Sequence, residues 1–280
     1  MNFSVLILTF NEEVNLQECL DSVKDCDDVV VFDSYSIDRT VEIARAAGAQ
    51  VVQRRFDNYA AQRTAALQDV KYKYDWLLML DADERVTPEL AQEISSVLQN
   101  QAEGITLYRM RRKDHFLGKW LRRSSGYPSW FGRLVKLGHI RVEREINEEY
   151  HTDGKVGLLE GHLNHFPFNK GVSYWFERHN KYSSMEAVAL AQETKNSITV
   201  ATSLKGVFSA DPALRRKILK NIAYRLPFRP FMIFIYLYFF RLGFLDGNPG
   251  LKFCVLRSIY EYMIDIKLLE MHDRQGQVLS

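Results

Sequence analysis

Three apolar runs, Phe3–Leu8 (FSVLIL), Asp28–Phe32 (DVVVF) and Trp76–Leu80 (WLLML), each give way to polar or acidic residues: Thr9-Phe10-Asn11-Glu12, Asp33-Ser34 and Asp81-Ala82-Asp83. Near-continuous apolar runs of this length read as strands buried on both faces. Helix-like segments lie between them. Asn11 reads as a helix N-cap with Glu12 and Glu13 in the first turn, and Leu16, Cys19, Leu20 and Val23 follow at helical spacing. A helix over about 38–47 closes on Gly48, Ala49–Gln53 is a short strand, Tyr59–Gln68 an Ala-rich helix, and Thr87-Pro88-Glu89 opens another. Such repetition with short connections predicts an α/β fold, a mostly parallel central sheet with helices on both faces. Ligands bind such sheets beyond the carboxyl ends of the strands, where the polar residues above converge.

The 280 residues suit one large domain or two small ones. A net charge of +2 excludes a strongly basic nucleic-acid binder. Cys19, Cys26 and Cys254 are too few and too scattered for a disulfide framework or a zinc site, which points to a reducing compartment. The opening MNFSVLILTFNEE lacks a basic leader and reads as strand, not signal peptide.

A dinucleotide fold would set a glycine-rich turn after the first strand, but TFNEE has no glycine. A phosphate at this acidic edge needs a divalent cation between it and the carboxylates. Asp81 and Asp83 are hard oxygen ligands suited to Mg²⁺ or Mn²⁺. The residues alone therefore predict a metal–diphosphate site, unless the pair merely caps a turn.

TFNEE, VVVFDSYSIDRTVEIARAAGA, NYAAQRTAAL and WLLMLDADERVTPEL resemble, in ordered succession over residues 3–110, the nucleotide-sugar motifs of family 2 glycosyltransferases of GT-A fold. SSGYPSWFGRLVKLGHIRVEREINEEYH and LNHFPFNKGVSYWFERHNKYSSMEA resemble a bacterial branch acting in lipopolysaccharide-core and exopolysaccharide assembly, including core β-1,4-glucosyltransferases. The resemblance implies an inverting, metal-dependent hexosyltransferase whose donor is a UDP-hexose, foremost UDP-glucose. The acceptor would be a lipid-linked glycan or lipopolysaccharide core. Transfer to polyprenyl phosphate and a non-catalytic nucleotide-sugar binding module are the alternatives.

The resemblance puts Thr9, Asn11 and Glu12 on the nucleotide side, Asp33 accepting from the base edge, Arg63 near the base or diphosphate unless it is a surface helix arginine, and Asp81 near the ribose or donor sugar. Asp83 would ligate the metal, with His165 as a further ligand unless it is a core histidine beside Phe166 and Phe168. Glu148 occupies the position of the catalytic base, Glu149 and Glu145 being rivals, and Asn147 departs from the His-Glu found in many relatives. Trp130, Phe131 and Arg133, with Arg178–Lys181, could stack on sugars or meet phosphates.

Three regions are expected: a nucleotide-sugar half over residues 1–110, an acceptor half over 111–204 and a basic, helical extension over 205–280. The second region alternates poorly and reads as loop-rich. In the third, an apolar block from Pro230 to Phe240, too short to span a bilayer, follows a basic stretch and precedes a turn at Asp246–Gly250 and an amphipathic helix. Helices of that kind lie at an anionic membrane surface, unless they form an ordinary hairpin packed on the catalytic domain or a dimer interface. The chain is thus expected in the cytoplasm of a bacterium, peripheral on the inner face of its membrane.

Overall fold

In the computed structural model, which describes residues 2–100, 103–143, 149–195 and 228–278, the apolar runs become neighbouring strands. β1 (Ser4–Thr9), β2 (Val29–Asp33), β3 (Gln50–Gln53) and β4 (Trp76–Asp81) are parallel, in the order β3-β2-β1-β4. The register sets Thr9 opposite Asp33 and Leu8 opposite Asp81, so the polar strand ends share one edge.

Four helices cover this half: α1 (Leu16–Asp21), α2 (Thr40–Ala46), α3 (Tyr59–Asp69) and α4 (Pro88–Asn100). Alternate residues of β1 enter different cores. Val5 and Ile7 pack with Leu16 and Cys19 of α1, Ala44 of α2 and Leu90 and Ile94 of α4. Leu6 points the other way, with Phe32 and Met79, onto Ala65 and Ala66 of α3. Helices therefore flank both faces, as the strand–helix repetition predicts. Each Leu, Ile or Phe withdrawn from water contributes about 1.5–3 kcal/mol, which lets a helix as short as α1 persist through packing. Gly48, at φ 78°, closes α2 in the left-handed region.

The helix after β1 does not begin at Asn11. Asn11 turns into the left-handed region (φ 53°) and its side chain accepts from the Ile37 N–H, so the chain makes a turn before α1 starts at Leu16. Short polar side chains tolerate that conformation better than others.

The region after residue 110 is also more regular than its pattern predicts. β5 (Glu84–Val86), β6 (Ile105–Phe116), β7 (Lys119–Trp120), β8 (Trp130–Lys136) and β11 (Lys155–His165) extend the sheet from β4 in the order β8-β6-β11-β5, with β7 paired to β6. β9 (Ile140–Glu143) and β10 (Glu149–Thr152) form a separate antiparallel pair. Alternation fails here because polar and charged residues of these strands pair with one another: Arg111 with Glu160, Arg112 with Asp114, and His115 with Asn164.

The chain divides into two compact units, Met1–Trp120 with Tyr127–Asn169, and Leu121–Gly126 with Lys170–Ser280. The second holds α5 (Gly171–Lys195), α6 (Arg229–Ile235) running into a π-helical turn (Tyr236–Phe240), a 3₁₀ turn (Gly243–Asp246) and α7 (Gly247–Val278). The break thus precedes the expected turn, and Pro249 takes its favoured place in the first turn of α7. Gly243 and Gly250 let the hairpin close: a Cβ on Gly243 would meet the Leu237 carbonyl oxygen at 2.6 Å, and one on Gly250 the Gly243 carbonyl oxygen. The basic stretch before residue 228 lies outside the described residues.

Candidate active site

At the carboxyl edge of the sheet, the loops after β1 and β2 are laced together by side chains reaching for backbone. Asn11 N–H donates to Ser36 Oγ at 2.8 Å, Glu12 N–H to Thr40 Oγ1 at 2.7 Å, and Glu13 N–H to Asp38 Oδ2 at 3.1 Å. Asp33 is the hub of this lacing and is 0% exposed. Its carboxylate accepts from Thr9 Oγ1 (2.9 Å), the Ser36 N–H (2.9 Å), Gln53 Nε2 (3.0 Å) and the Ser36 hydroxyl. Both oxygens are doubly engaged. Asp33 and Thr9 thus shape the loop, Asn11 and Glu12 tie it to its neighbour, and Asp33 stands at the edge where the resemblance sets the base.

A second layer of charge lies under the β4 end. Arg63, 3% exposed, is no surface helix arginine: its Nη2 donates to Asp81 Oδ1 at 2.7 Å. Arg133 Nη2 donates to the other oxygen, Asp81 Oδ2, at 2.6 Å and also to Glu84 Oε1 at 2.7 Å. Glu84 is 0% exposed, and Arg112 stands 3.6 Å from it. Burial alone would raise the Asp81 carboxyl, but Arg133, then Arg63 and Arg112, hold it far below the usual carboxylate range. The arginines thus favour the ionised Asp81, and both of its oxygens are already committed to them. The Nε–H of Arg133 is buried without a hydrogen-bond partner among the described residues.

Asp83, two residues on, belongs to a different constellation. His165 Nε2 lies 3.4 Å from Asp83 Oδ2, and His165 Nδ1 lies 2.7 Å from Asp114 Oδ1. Strand geometry builds this: His165 and Asp114 pair across β11 and β6, and the Phe166 N–H donates to the Asp83 carbonyl at 2.9 Å. Burial disfavours the charged imidazole and so does Arg112, yet Asp83 and Asp114 overcome both and push it up to about 9. The donor set fits a hard divalent cation. A carboxylate and an imidazole nitrogen converge, and the other ring nitrogen is held by a carboxylate, as in metal sites generally. Among the described residues no group of three or more His, Cys, Asp or Glu is placed to hold a metal ion. A cation held here would draw its remaining ligands from substrate phosphate and water, as Mg²⁺ commonly does.

Glu148 lies outside the described residues, in the segment between β9 and β10. Trp130 is partly exposed on β8, with Arg111 over its ring, and Phe131 lies beneath Arg112. In the second unit, Arg178 and Asn180 are bound within the helices, to Tyr182 and Lys267. Glu84, Arg112 and Asp114 escaped the sequence reading, and Arg133 entered it only as a phosphate cation.

These motifs have known relatives. A sequence profile described as Glycosyl transferase family 2 matches residues 4–158. An uncharacterized glycosyltransferase of Rickettsia typhi is 30% identical over 206 residues, 69% of each chain. The lipopolysaccharide core biosynthesis glycosyltransferase LpsC of Rhizobium meliloti is 24% identical over 278 residues, 96% of this chain and 92% of that one. Among solved structures, glucosyl-3-phosphoglycerate synthase of Mycobacterium tuberculosis, in complex with Mn²⁺, UDP and glucosyl-3-phosphoglycerate, is 24% identical with a TM-score of 0.35. That likeness covers 40% of this chain and 44% of that one. With the family profile spanning more than half of its length, the chain belongs to glycosyl transferase family 2 and is a glycosyltransferase.

Proposed function

We propose that the protein transfers a hexose, with inversion, from a UDP-sugar to a glycan carried on a lipid or lipopolysaccharide core at an anionic membrane surface. UDP-glucose is the foremost candidate donor. The observation that carries this is the Asp83–His165–Asp114 constellation beside Asp81, at the edge where an α/β sheet receives its ligand. Asp83 and His165 would hold a divalent cation, whose chemistry is to offset charge on the departing diphosphate.

The chain's own residues supply the rest. Arg63 and Arg133 fix Asp81 at the strand end, and the partnerless Arg133 Nε–H is a buried donor that a donor-substrate oxygen would satisfy. Glu148 is the proposed base, accepting the acceptor hydroxyl's proton as that oxygen attacks the anomeric carbon. The full-length likeness to a lipopolysaccharide core glycosyltransferase supports the acceptor class.

The test offers a panel of radiolabelled nucleotide sugars, with membrane extract, to the purified protein. Transfer from a UDP-hexose to lipid-linked glycan or lipopolysaccharide core, abolished by EDTA and restored by Mn²⁺ or Mg²⁺, is expected. Undiminished transfer in EDTA overturns the metal assignment. Label appearing on polyprenyl phosphate instead would move the acceptor to that class, and donor binding without turnover would make this a binding module.

A further inference from the structure

The hairpin of the second unit carries its polarity inside out. The one charged residue of α6, Arg229, is 5% exposed and turns inward, pairing with Glu261 and, at 3.1 Å, with Asp265 of α7. The Ser258 hydroxyl donates to the Pro230 carbonyl at 2.6 Å, also on the inner side. Outward stand Phe228, Phe231 and Phe240, exposed by 81%, 63% and 77%, with Tyr236, Phe239 and Leu245 also exposed. A hairpin meeting only water would place these groups the other way round. Ionisable side chains that face inward and pair with one another are the pattern of helices surrounded by lipid.

Charge and geometry narrow the occupant. Over residues 228–256 the only acid, Asp246, is buried, which leaves Arg241 and Lys252 as the charges beyond the inner Arg229. No single helix among the described residues is long and apolar enough to cross a membrane. Arg229–Phe240 and Gly243–Met271 meet that standard only as a pair, bent by 72°. The first limb rises about 18 Å at 1.5 Å per residue, against roughly 30 Å of hydrocarbon.

The turn between the limbs is not free to plunge inward. Asp246 Oδ2 accepts from the Arg123 N–H (2.9 Å), the Ser124 N–H (2.8 Å) and the Ser124 hydroxyl (2.8 Å). It thereby holds the turn against the loop Leu121–Gly126, which the chain joins directly to β7.

We propose that this hairpin is an in-plane membrane insert. The aromatic face of residues 228–245 sits among the acyl chains just below the headgroups of an anionic bilayer, and apolar area rather than charge supplies most of the attachment. Insertion in this plane brings the loop Leu121–Gly126, through Asp246, to the same membrane surface. The inference deepens the membrane-borne acceptor proposed above, and its test needs neither donor nor acceptor.

Vesicles of phosphatidylcholine with phosphatidylglycerol are floated with the full-length protein, in low salt and in 1 M NaCl. Wild type should float in both, with binding in high salt reduced by less than about tenfold, since salt screens only the charged contribution. Replacing Phe228, Phe231 and Phe240 together by Ser should weaken binding by on the order of 100-fold or more, with the helical circular dichroism retained. Phe240→Cys carrying an environment-sensitive fluorophore reports depth, because the native cysteines are all buried. Quenching by lipids spin-labelled near the headgroup, and not by those labelled at the chain terminus, is expected.

Complete release by 1 M NaCl, unchanged binding of the triple variant, or quenching from the bilayer centre would each overturn the in-plane insert. So would a lipid-free dimer that buries the fluorophore. UDP binding by calorimetry, measured in parallel, distinguishes loss of this inference from loss of the glycosyltransferase site.

Discussion

Asp114 stands on β6 at the position paired with His165 on β11, and its Oδ1 lies 2.7 Å from His165 Nδ1. That contact orients the ring so that Nε2 faces Asp83, the other proposed metal ligand. Carboxylates in this position fix the ligand's tautomer, and their loss typically costs 10–100-fold in metal affinity. Asp114→Ala should therefore weaken Mn²⁺ binding, read by electron paramagnetic resonance or calorimetry, by about that factor. Asp114→Asn, whose amide oxygen can still accept from Nδ1, should retain more of it. Equal Mn²⁺ affinity in wild type and Asp114→Ala would leave Asp114 with no part in metal binding.

Arg133 bridges Asp81 and the fully buried Glu84 through one nitrogen. Removing it strands Glu84 as a buried acid with Arg112, 3.6 Å away, as its one remaining cation among the described residues. Breaking a buried pair by deleting one partner costs about 3–5 kcal/mol. Arg133→Met should lower the melting temperature markedly, and Arg133→Met with Glu84→Gln should recover part of the loss because the stranded charge is gone. If the double variant is no more stable than the single one, the bridge is not what holds this layer together.

The outer parts of the site were legible because they are local. Thr9, Asp33 and Asp81 each follow an apolar run, and parallel pairing of those runs brings them to one edge. Glu84 reads as one more polar residue in DADER, and only its pairing with Arg133, 49 residues along the chain, makes it a core group. Asp114 is hidden for the same reason, lying among Arg112, Lys113 and His115, and only the pairing of β6 with β11 sets it against His165. Asp33 shows the converse. The family motif marked it, but not that its carboxylate also ties the ends of β1 and β3 to the loop after β2.

Glu148→Gln tests the proposed base. A carboxamide of the same shape cannot take the acceptor's proton, so turnover should fall by roughly 10²–10⁴ while UDP affinity stays nearly intact. Loss following Glu149→Gln instead would move the base by one residue. No loss in either variant would place it elsewhere in the acceptor half.

His179 gives the second unit a pH dependence with a definite sign. Its Nδ1 lies 2.8 Å from the Trp175 carbonyl oxygen, and its ring stacks on Trp175 at 3.7 Å and meets the edge of Tyr260 at 5.0 Å. Burial, with Arg178 and Arg257 adding to it against the pull of the carbonyl, lowers the imidazole from 6.5 to about 4. The folded state thus holds the ring neutral where the unfolded chain would protonate it. Stability from this group is present above pH 6.5 and is lost as the pH falls from there through 4. Discounted for the ring's partial exposure, the loss between pH 7 and pH 4.5 should be about 1–2 kcal/mol. Urea unfolding followed by the near-ultraviolet signal should show that slope in wild type. His179→Phe, which keeps an aromatic ring on Trp175 but has no proton to gain, should flatten it by the same amount. An unchanged slope in the variant would assign the acid sensitivity of this unit to other groups.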